Sequence, residues 1–399
     1  MGLKRTIGMV TGSALLLVVS LAPSAGAGAP GASSSGPTAA ISPRPARAVC
    51  ALAPDAGRCQ AKVLTTSAGA PLASPGPNGL TPTQLQGAYG LAAAAAQPNS
   101  QTVGVVVAFD DPTAEADLAT AAAAFGLPAC TTGNGCFAKV NQTGGTSYPA
   151  TDEGWALEAS LDIQTIHAVA PHARVLLVEA KSASIFDLLA AENYATAHAN
   201  VVNNSWGSTE SVLDRFFDSA FAKPIPITVS SGDNGFGVSW PASNPFVTAV
   251  GGTTLHVDAG GNRLSETTWA GSGSGCSSVE PKAPWQKDTG CARRTVADVA
   301  AVADPATGMS VYDSFGYQGQ SGWFVVGGTS LASPVIAATY ALAAPAPVLY
   351  AYRAYVLPGA LHDITAGSNG ACSPAYLCTA VAGYDGPTGL GSPNGILAF

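Results

Sequence analysis

The sequence has 399 residues, of which 47% are hydrophobic and only 11% are charged, against about a quarter in an average globular protein. This length accommodates one large domain or two, and the apolar content is sufficient for an extensive core. The formal net charge of −8 argues against nucleic acid and anionic membrane surfaces as partners. So few charges also limit self-repulsion as carboxylates become protonated, which is compatible with work at low pH.

The N-terminal residues have the pattern of a secretory signal peptide. Lys4 and Arg5 supply a basic region, residues 9–21 an apolar region, and small residues at 25–29 a cleavage site. The apolar run is too short to span a membrane, and we predict no spanning segment elsewhere. The sequence therefore predicts a signal peptide at residues 1–29 and a secreted, extracellular protein.

The next stretch, residues 30–79, is rich in Pro, Gly, Ala and Ser and has little periodicity. This composition is typical of a propeptide remnant or a low-complexity linker. Thr81 followed by Pro82 then forms a helix-start signal, with threonine as the N-cap and proline at the first helical position. We therefore expect the folded domain to occupy residues 80–399.

Eight cysteines in a secreted chain predict disulfides, although eight cysteines allow 105 pairings. They occur as close neighbours along the chain, so we expect four local bonds. The expected pairs are Cys50 with Cys59, Cys130 with Cys136, Cys276 with Cys291 and Cys372 with Cys378. No pair has the C-x-x-C spacing and the histidines are scattered, which argues against zinc or a redox dithiol.

From residue 102 the sequence alternates short apolar runs with helical segments, which is typical of βαβ units and a parallel sheet. The predicted strands are Val103–Ala108, Val175–Glu179, Val201–Asn203, Ile225–Ser230 and Phe246–Val250. The predicted helices occupy residues 113–125, 153–169, 184–199 and 210–222. Residues 257–275 are polar and rich in glycine, which predicts a hairpin with loops. The chain is thus expected to have an α/β fold.

A glycine pair followed by Thr329 and Ser330 lies between a predicted strand at 323–326 and a predicted helix at 335–342. Ser330 would then lie at a helix N-terminus, where unpaired N–H groups and the helix dipole favour developing negative charge. That environment suits a nucleophile. Alternatively, Thr329 or Ser330 is simply an N-cap, and the choice depends on partners elsewhere in the chain.

The predicted helix at 153–169 carries two carboxylates, Glu158 and Asp162, beside its apolar stripe. Like charges four residues apart cost about 0.2–0.5 kcal/mol when exposed, and more when desolvated. A pair that shares a proton avoids most of this cost, as in aspartic-protease dyads. The pair is therefore a candidate for acid–base chemistry, and the alternative is a solvated acidic edge.

A third carboxylate, Asp233, directly follows the predicted strand Ile225–Ser230 in the run Ser-Gly-Asp-Asn-Gly. The carboxyl ends of parallel strands are where open α/β sheets place their sites. Taken alone, the same run also describes an ordinary turn. The interpretation therefore depends on combining Asp233 with the other motifs.

Together these motifs resemble the sedolisin family of serine-carboxyl peptidases over roughly residues 80–399. E-x-x-x-D at 158–162, S-G-D-x-G at 231–235 and G-T-S-x-A-S-P at 328–334 occur in the family's order. The run at 203–207 resembles the family's substrate-lining strand, and the run at 298–305 resembles the strand and loop before the serine segment. The resemblance implies a subtilisin-like, doubly wound, mostly parallel sheet with helices on both faces.

The resemblance also implies a role for each candidate side chain in peptide hydrolysis at acidic pH. Ser330 would attack the scissile carbonyl, Glu158 would accept its proton, and Asp162 would hydrogen-bond to Glu158 and orient it. Asp233 would donate to the oxyanion, which a carboxylic acid can do only when it is protonated. Activity in acid follows from that requirement.

The C-terminal region resembles the calcium loop of the same family. The resemblance implies one structural Ca²⁺ bound by the carboxylates of Asp363 and Asp385 and the carbonyls of Ile364, Val381 and Gly383. Carboxylates and backbone carbonyls are the hard oxygen ligands that this ion prefers. Without the resemblance, the same residues describe two ordinary turns.

Two alternatives remain open from the sequence. One is a subtilisin-type Ser/His/Asp peptidase that uses Asp110 or Asp111, but neither His167 nor His172 lies in the required position before the Glu158 helix. The other is a catalytically silent, secreted binding protein with the same fold. Peptide hydrolysis near pH 4 would indicate the serine-carboxyl peptidase, and hydrolysis only near pH 8 would indicate the subtilisin-type peptidase. Hydrolysis at neither pH would indicate the binding protein.

The sequence departs from the family pattern in two ways. Only about 50 residues separate the predicted signal peptide from the predicted domain, whereas the family's pro-domain is long. The serine loop also has Gly327 before Gly-Thr-Ser and Leu331 after it, where serine and alanine are more familiar.

We predict protein or peptide substrates and a monomer, with no nucleic acid or membrane partner. Subsite preference and the choice between internal and N-terminal cleavage stay open.

Overall fold

The computed structural model describes residues 44–51, 56–344 and 350–399, together with Gly2. The predicted signal peptide, apart from Gly2, and the predicted linker up to residue 43 lie outside the described residues. The strands are β1 Ala46–Ala48, β2 Arg58–Cys59, β3 Lys62–Leu64, β4 Ala73–Ser74, β5 Thr102–Ala108, β6 Phe137–Asn141, β7 Arg174–Ala180, β8 Val201–Asn204, β9 Trp206–Thr209, β10 Ile227–Ser230, β11 Ser239–Trp240, β12 Thr248–Val257, β13 Arg263–Thr268, β14 Gly275–Cys276, β15 Thr295–Val296, β16 Val299–Val302, β17 Met309–Tyr317, β18 Gln320–Gly327, β19 Leu361–His362 and β20 Ser392–Pro393. The α-helices are α1 Pro82–Ala88, α2 Ala92–Ala95, α3 Ala114–Phe125, α4 Glu153–Val169, α5 Ile185–His198, α6 Asp218–Phe221, α7 Thr329–Ala343 and α8 Tyr352–Val356.

The central sheet has the strand order β13-β12-β10-β8-β5-β7-β6, and β16 also pairs with β12. The strand pairs from β12 to β6 are parallel, and only the β12–β13 hairpin is antiparallel. Strand β5 lies in the middle, with later strands added on both sides of it. This is the doubly wound, mostly parallel sheet that the sequence predicts, and it carries helices on both faces.

Helices α4 and α7 pack against each other and against the sheet, while α5 packs against β5 and β7. Gly104 of β5 shows how closely α5 approaches, since a Cβ at this position would lie 3.2–3.3 Å from Ala195 and Ala199. Val103, Val105 and neighbouring residues of β5 are buried on both faces. Coverage on both sides explains why this strand is a continuous apolar run.

The predicted α1 boundary is confirmed in detail. Thr81 forms a capping box with Gln84, and Pro82 occupies the first helical turn. Helix 210–222 is shorter than predicted, because a 3₁₀ turn at Asp214–Phe217 precedes α6. Strand β12 begins two residues later than predicted and continues into the hairpin region.

The expectation that residues up to 79 form a linker is corrected for the part of this region that the structure describes. Strands β1 and β3 pair with each other, and β3 and β4 pair with β18, next to the serine segment. Strand β2 pairs with β9. Backbone hydrogen bonds to distant strands, rather than the composition of the segment, order these residues.

Disulfides join the four pairs expected from the sequence, Cys50–Cys59, Cys130–Cys136, Cys276–Cys291 and Cys372–Cys378. Each closes a local loop. Among the described residues, no helix is both long enough and apolar enough to cross a bilayer.

Candidate active site

Ser330 lies where β18 turns into α7, in the first turn of the helix. The turn depends on Gly328, whose φ of 92° is in the left-handed region that favours glycine. A Cβ at Gly328 would also collide with the Gln60 carbonyl oxygen and with Asp233 Oδ2. The helix N-terminus predicted for Ser330 is therefore present, and backbone and side-chain oxygens crowd the space beside it.

The Ser330 hydroxyl has two oxygen neighbours. Its Oγ lies 2.9 Å from Glu158 Oε2 and 3.1 Å from the carbonyl oxygen of Ser205. Glu158 lies on helix α4, which packs against α7. The side chains of Glu158 and Ser330 are both completely buried. The hydroxyl is thus within direct proton-transfer distance of a carboxyl group.

Asp162 lies one turn after Glu158 on the same helix, and the hydrogen bond between them stays a prediction. Asp162 Oδ1 accepts a 2.6 Å hydrogen bond from the Ser205 hydroxyl. Glu158 Oε1 and Asp162 Oδ2 have no hydrogen-bond partner in the described protein. Because Glu158 Oε2 contacts Ser330 and Asp162 Oδ1 accepts from Ser205, these two unpartnered oxygens are the ones that remain for a shared proton.

The two carboxyl groups are nevertheless electrostatically coupled. Burial, and then repulsion from Asp162, raises the pKa of Glu158 well above its ordinary value. Burial also raises the pKa of Asp162. A buried pair of this kind avoids carrying two negative charges by holding a proton between its members.

Helix α4 is more deeply buried than its amphipathic pattern predicts. Every residue from Gly154 to Val169 is buried, since α3, α7, β5 and β17 all contact the helix. The alternative of a solvated acidic edge for Glu158 and Asp162 is therefore wrong. Desolvation acts on both carboxyl groups.

Asp233 follows β10 and reaches the start of α7. Its Oδ1 accepts hydrogen bonds from the Thr329 backbone N–H at 2.7 Å and the Thr329 hydroxyl at 2.8 Å. Its Oδ2 is buried and has no partner in the described protein. Burial raises the pKa of Asp233 to about 6, although nearby Lys62 opposes the shift. Since Oδ1 already accepts two hydrogen bonds, a proton on this group belongs on Oδ2.

Asp363 and Asp385 come together in the C-terminal region. Asp385 is buried, and Gly383 donates its N–H to Asp363 Oδ2 at 2.9 Å. Burial, with a smaller contribution from the charge of Asp363, raises the pKa of Asp385. The carbonyl oxygens of Ile364, Val381 and Gly383 accept no hydrogen bond from the described residues. This set of free carbonyls and adjacent carboxylates fits a calcium ion chemically.

Comparison with known proteins agrees with this geometry. A model of the Subtilase family matches residues 135–347, more than half of the chain. A solved structure of Pseudomonas sedolisin, a serine-carboxyl proteinase complexed with two molecules of pseudo-iodotyrostatin, is 30% identical with a TM-score of 0.67. The match covers 80% of this chain and 96% of that one. This chain belongs to the sedolisin family.

Two curated relatives extend the comparison. Kumamolisin from Bacillus sp. (strain MN-32) is 32% identical over 299 residues, covering 64% of this chain and 53% of the relative. Sedolisin from Pseudomonas sp. (strain 101) is 29% identical over 382 residues, covering 83% of this chain and 62% of the relative. The chain thus spans between half and two thirds of these members of the sedolisin family.

The histidine-based alternative has no support around Ser330 of this sedolisin-family chain. Within the described residues, neither hydrogen-bond neighbour of Ser330 Oγ is a histidine. His167 is buried and its Nε2 donates to the Pro128 carbonyl at 2.8 Å. Asp110 forms an ion pair with Lys139. The ionisable side chain that contacts Ser330 Oγ is Glu158.

Sequence reasoning missed the polar groups that support the sedolisin-family site. Ser333 donates to Asn203 Oδ1 at 2.7 Å, Asn203 donates to Ser205 Oγ at 2.9 Å, and Ser205 donates to Asp162. Asn203 and Ser205 lie in the run at 203–207 that the sequence predicts to line the substrate site. The hydrogen bond from Ser205 to Asp162 could not be predicted from that run. Lys62, which donates to the Asp233 carbonyl at 2.6 Å, had no sequence signal at all.

Proposed function

We propose that this sedolisin-family chain is a serine-carboxyl peptidase that hydrolyses peptide bonds in acid. The observation that carries the proposal is the 2.9 Å contact between Ser330 Oγ and Glu158 Oε2 in a fully buried site. A serine hydroxyl is a weak nucleophile unless a base accepts its proton. No other ionisable side chain among the described residues contacts this hydroxyl.

In the proposed reaction, Ser330 Oγ attacks the scissile carbonyl carbon while its proton passes to Glu158. Glu158 then gives the proton to the leaving nitrogen, and a water molecule hydrolyses the acyl ester by the reverse sequence. Asp162 shares the proton of the buried pair, and Ser205 keeps the Asp162 carboxyl in place. The roles of Ser330 and Glu158 follow the general logic of a catalytic triad.

Asp233 supplies the proposed oxyanion donor together with the Ser330 backbone N–H. The unpartnered Oδ2 borders the same space beside Gly328 as the carbonyl oxygen of Gln60. The carboxyl group donates only while it is protonated, and its pKa of about 6 limits this role to acidic solution. Glu158 must be ionised at the same time so that it can accept the proton of Ser330. The coupled pair of Glu158 and Asp162 permits this when the two carboxyl groups together hold a single proton.

The proposed substrates are proteins or peptides, and the proposed location is extracellular. The four disulfides support an oxidising compartment, and the signal-peptide pattern at residues 1–29 supports secretion. A monomer is sufficient for the proposed chemistry, because the candidate residues all come from one chain.

We also propose one structural calcium ion in the C-terminal region. Asp363 and Asp385 would bind it with the carbonyls of Ile364, Val381 and Gly383. The ion would neutralise adjacent carboxylates and satisfy the free carbonyl oxygens, so it would stabilise these loops. It has no step in the proposed hydrolysis.

The experiment is a pH profile of kcat/KM on a denatured protein substrate, measured for the full chain and for Ser330→Ala. Hydrolysis at about pH 4 that falls by about 10⁴-fold or more in Ser330→Ala is expected. Activity only at about pH 8 would indicate histidine-type chemistry instead. Inactivity at every pH, with the chain folded, would favour a binding protein. Near-full activity of Ser330→Ala would exclude the proposed nucleophile.

A further inference from the structure

Residues 56–60 lie in a channel that ends at Ser330. The Gln60 carbonyl oxygen accepts a hydrogen bond from the Ser330 backbone N–H at 3.2 Å. Since that N–H is a proposed oxyanion donor, Gln60 marks the place of the substrate residue directly before the bond that is cleaved. Ala56 then marks the fifth residue before that bond. The channel thus shows the path that a polypeptide substrate takes to Ser330 and the direction in which it runs.

Strand β9 forms one wall of this channel. It pairs antiparallel with β2, so that Arg58 lies opposite Gly207 and Cys59 opposite Trp206. The wall and the chain in the channel therefore run in opposite directions. A substrate followed upstream from the bond moves toward the C-terminal end of β9, which leads into residues 210–217.

The segment before α5 forms the other wall. The Gly57 backbone N–H donates to the Ala183 carbonyl at 2.8 Å, and Ala56 pairs antiparallel with Ser184. Ser184 is the N-cap of α5, so the helix begins where this pairing ends. A substrate followed upstream past this point therefore meets the first turn of α5, which carries Phe186.

Four large apolar side chains are exposed at the upstream end of the two walls, and we call them the upstream patch. They are Phe186 of α5 and, after β9, Val212, Leu213 and Phe216, which are 74%, 76%, 58% and 78% exposed. The two walls meet here, because the ring of Phe186 packs edge-on against Phe217 with centroids 5.7 Å apart. Exposed apolar surface of this kind is typical of an interaction site.

Polar contacts hold the segment that carries three of these side chains. Glu210 Oε2 accepts hydrogen bonds from the backbone N–H and the hydroxyl of Ser278, both at 2.7 Å. Asp218 Oδ1 accepts a hydrogen bond from Asn244 Nδ2 at 2.8 Å. These anchors lie before and after residues 212–216. The segment is therefore held in place, and a ligand of the upstream patch does not have to order it first.

We propose that the upstream patch binds apolar residues of an extended protein substrate, upstream of the fifth residue before the bond that is cleaved. This inference rests on the proposed function. A substrate that takes the channel replaces residues 56–60, and its chain continues past Ser184 to the patch. The occupant is an unfolded polypeptide, because an extended chain fills the channel and reaches the patch at once. Such a site favours cleavage inside long chains over cleavage close to an N-terminus.

The test compares three synthetic peptides at about pH 4. The short peptide has the sequence of residues 56–64, with serine in place of the cysteine, because this sequence matches the chain that lies in the channel. The second peptide adds Leu-Phe-Leu-Phe before it, and the third adds Ser-Gly-Ser-Gly.

For the wild type, the apolar extension should lower KM by about 10-fold or more, because burial of even one leucine or phenylalanine side chain contributes about that much in affinity. The value of kcat should change by less than about twofold, because these contacts lie far from the reacting bond and are equal in the ground state and the transition state. The polar extension should leave KM as it is for the short peptide.

The double variant Phe186→Ser, Phe216→Ser removes the two phenylalanines of the upstream patch. In this variant the apolar extension should no longer lower KM, while the short peptide keeps its wild-type kcat and KM, which also shows that the variant is folded. Leu264→Ser is the matched control, since Leu264 is 66% exposed on β13, outside the patch. It should treat all three peptides as the wild type does. A double variant that still gains from the apolar extension would overturn the inference.

Three further outcomes separate this inference from the proposed function and from other occupants of the patch. A wild type that hydrolyses all three peptides with equal KM would overturn the inference alone, and a wild type that hydrolyses none would overturn both proposals. Sedimentation at rising protein concentration tests a second copy of the chain as the occupant. A dimer that is lost in the double variant, or binding to phosphatidylcholine vesicles that is lost in it, would overturn the assignment of the patch to substrate.

Discussion

The Ser205 hydroxyl donates a 2.6 Å hydrogen bond to Asp162 Oδ1, while the carbonyl of the same serine lies 3.1 Å from Ser330 Oγ. One residue thus contacts both the nucleophile and the second carboxyl group of the buried pair. Its hydroxyl is held in turn by Asn203, which donates to it at 2.9 Å. Ser205 is therefore a positioning residue whose effect can be measured.

We expect Ser205→Ala to lower kcat by about 10–100-fold, because a hydrogen bond to a charged group contributes about 1.5–3 kcal/mol. The Ser205 hydroxyl lowers the pKa of Asp162, so its loss should move the acid limb of kcat to higher pH. The measurement is kcat against pH. Ser205→Thr keeps a hydroxyl and should restore the limb. If Ser205→Ala and Ser205→Thr both keep the wild-type kcat and the wild-type acid limb, the Ser205 hydroxyl does not position Asp162.

Asp233 is expected to set the alkaline limb of activity. Burial raises its pKa to about 6, so the donor on Oδ2 is present below this pH and is lost as the pH rises through it. Asp233→Asn keeps a donor at every pH but changes its acidity and geometry. We expect a lower kcat at the acidic maximum, by less than the roughly 10²–10³-fold that complete loss of the donor would cost, with the alkaline limb moved to higher pH. If the alkaline limb of kcat against pH is unchanged in Asp233→Asn, the titration of a group other than Asp233 sets that limb.

Removal of calcium is expected to lower the melting temperature of the wild type. Binding at a hundred times Kd contributes about 2.7 kcal/mol, which corresponds to roughly 3–4 °C for a chain of this size. Asp363→Ala should melt lower and should lose the response to a chelator. Asp258→Ala, at a partly exposed position outside the site, should respond to the chelator as the wild type does. Equal melting temperatures with and without chelator in the wild type would contradict the assignment.

Glu192 on α5 makes an independent prediction about stability and pH. The side chain is completely buried, neither carboxyl oxygen has a hydrogen-bond partner in the described protein, and burial raises its pKa to about 8 from 4.5. A raised carboxyl pKa stabilises the fold below the unfolded value, and this stability is lost as the pH rises to about 8.

We therefore expect Glu192→Gln to match the wild type at about pH 4 and to be more stable by roughly 2–4 kcal/mol at about pH 8. Urea denaturation at both pH values measures the difference. Glu153→Gln, at an exposed position at the start of α4, is the matched control and should show no such pH dependence. A constant difference between Glu192→Gln and the wild type across this range would contradict the interpretation.

The sequence alone was sufficient where the determining interactions are local. The capping box at Thr81 involves residues three positions apart, and each disulfide joins cysteines that are close in the chain. Gly328 and the apolar helix after it were enough to locate Ser330 at a helix N-terminus. The alternation of strands and helices predicted the parallel sheet, because side-chain periodicity reports local backbone conformation directly.

Only the tertiary structure decided the features that depend on distant contacts. Helix α4 looks one-sided in sequence, but packing by α3, α7 and β17 buries its whole surface and desolvates Glu158 and Asp162. The partner of Asp162 comes from Ser205, 43 positions away in the chain. The segment around Gln60 has the composition of a linker, yet β2 pairs with β9 and the Gln60 carbonyl accepts a hydrogen bond from the Ser330 backbone N–H. Composition does not specify such partners, since backbone hydrogen bonding is the same for every residue type except proline.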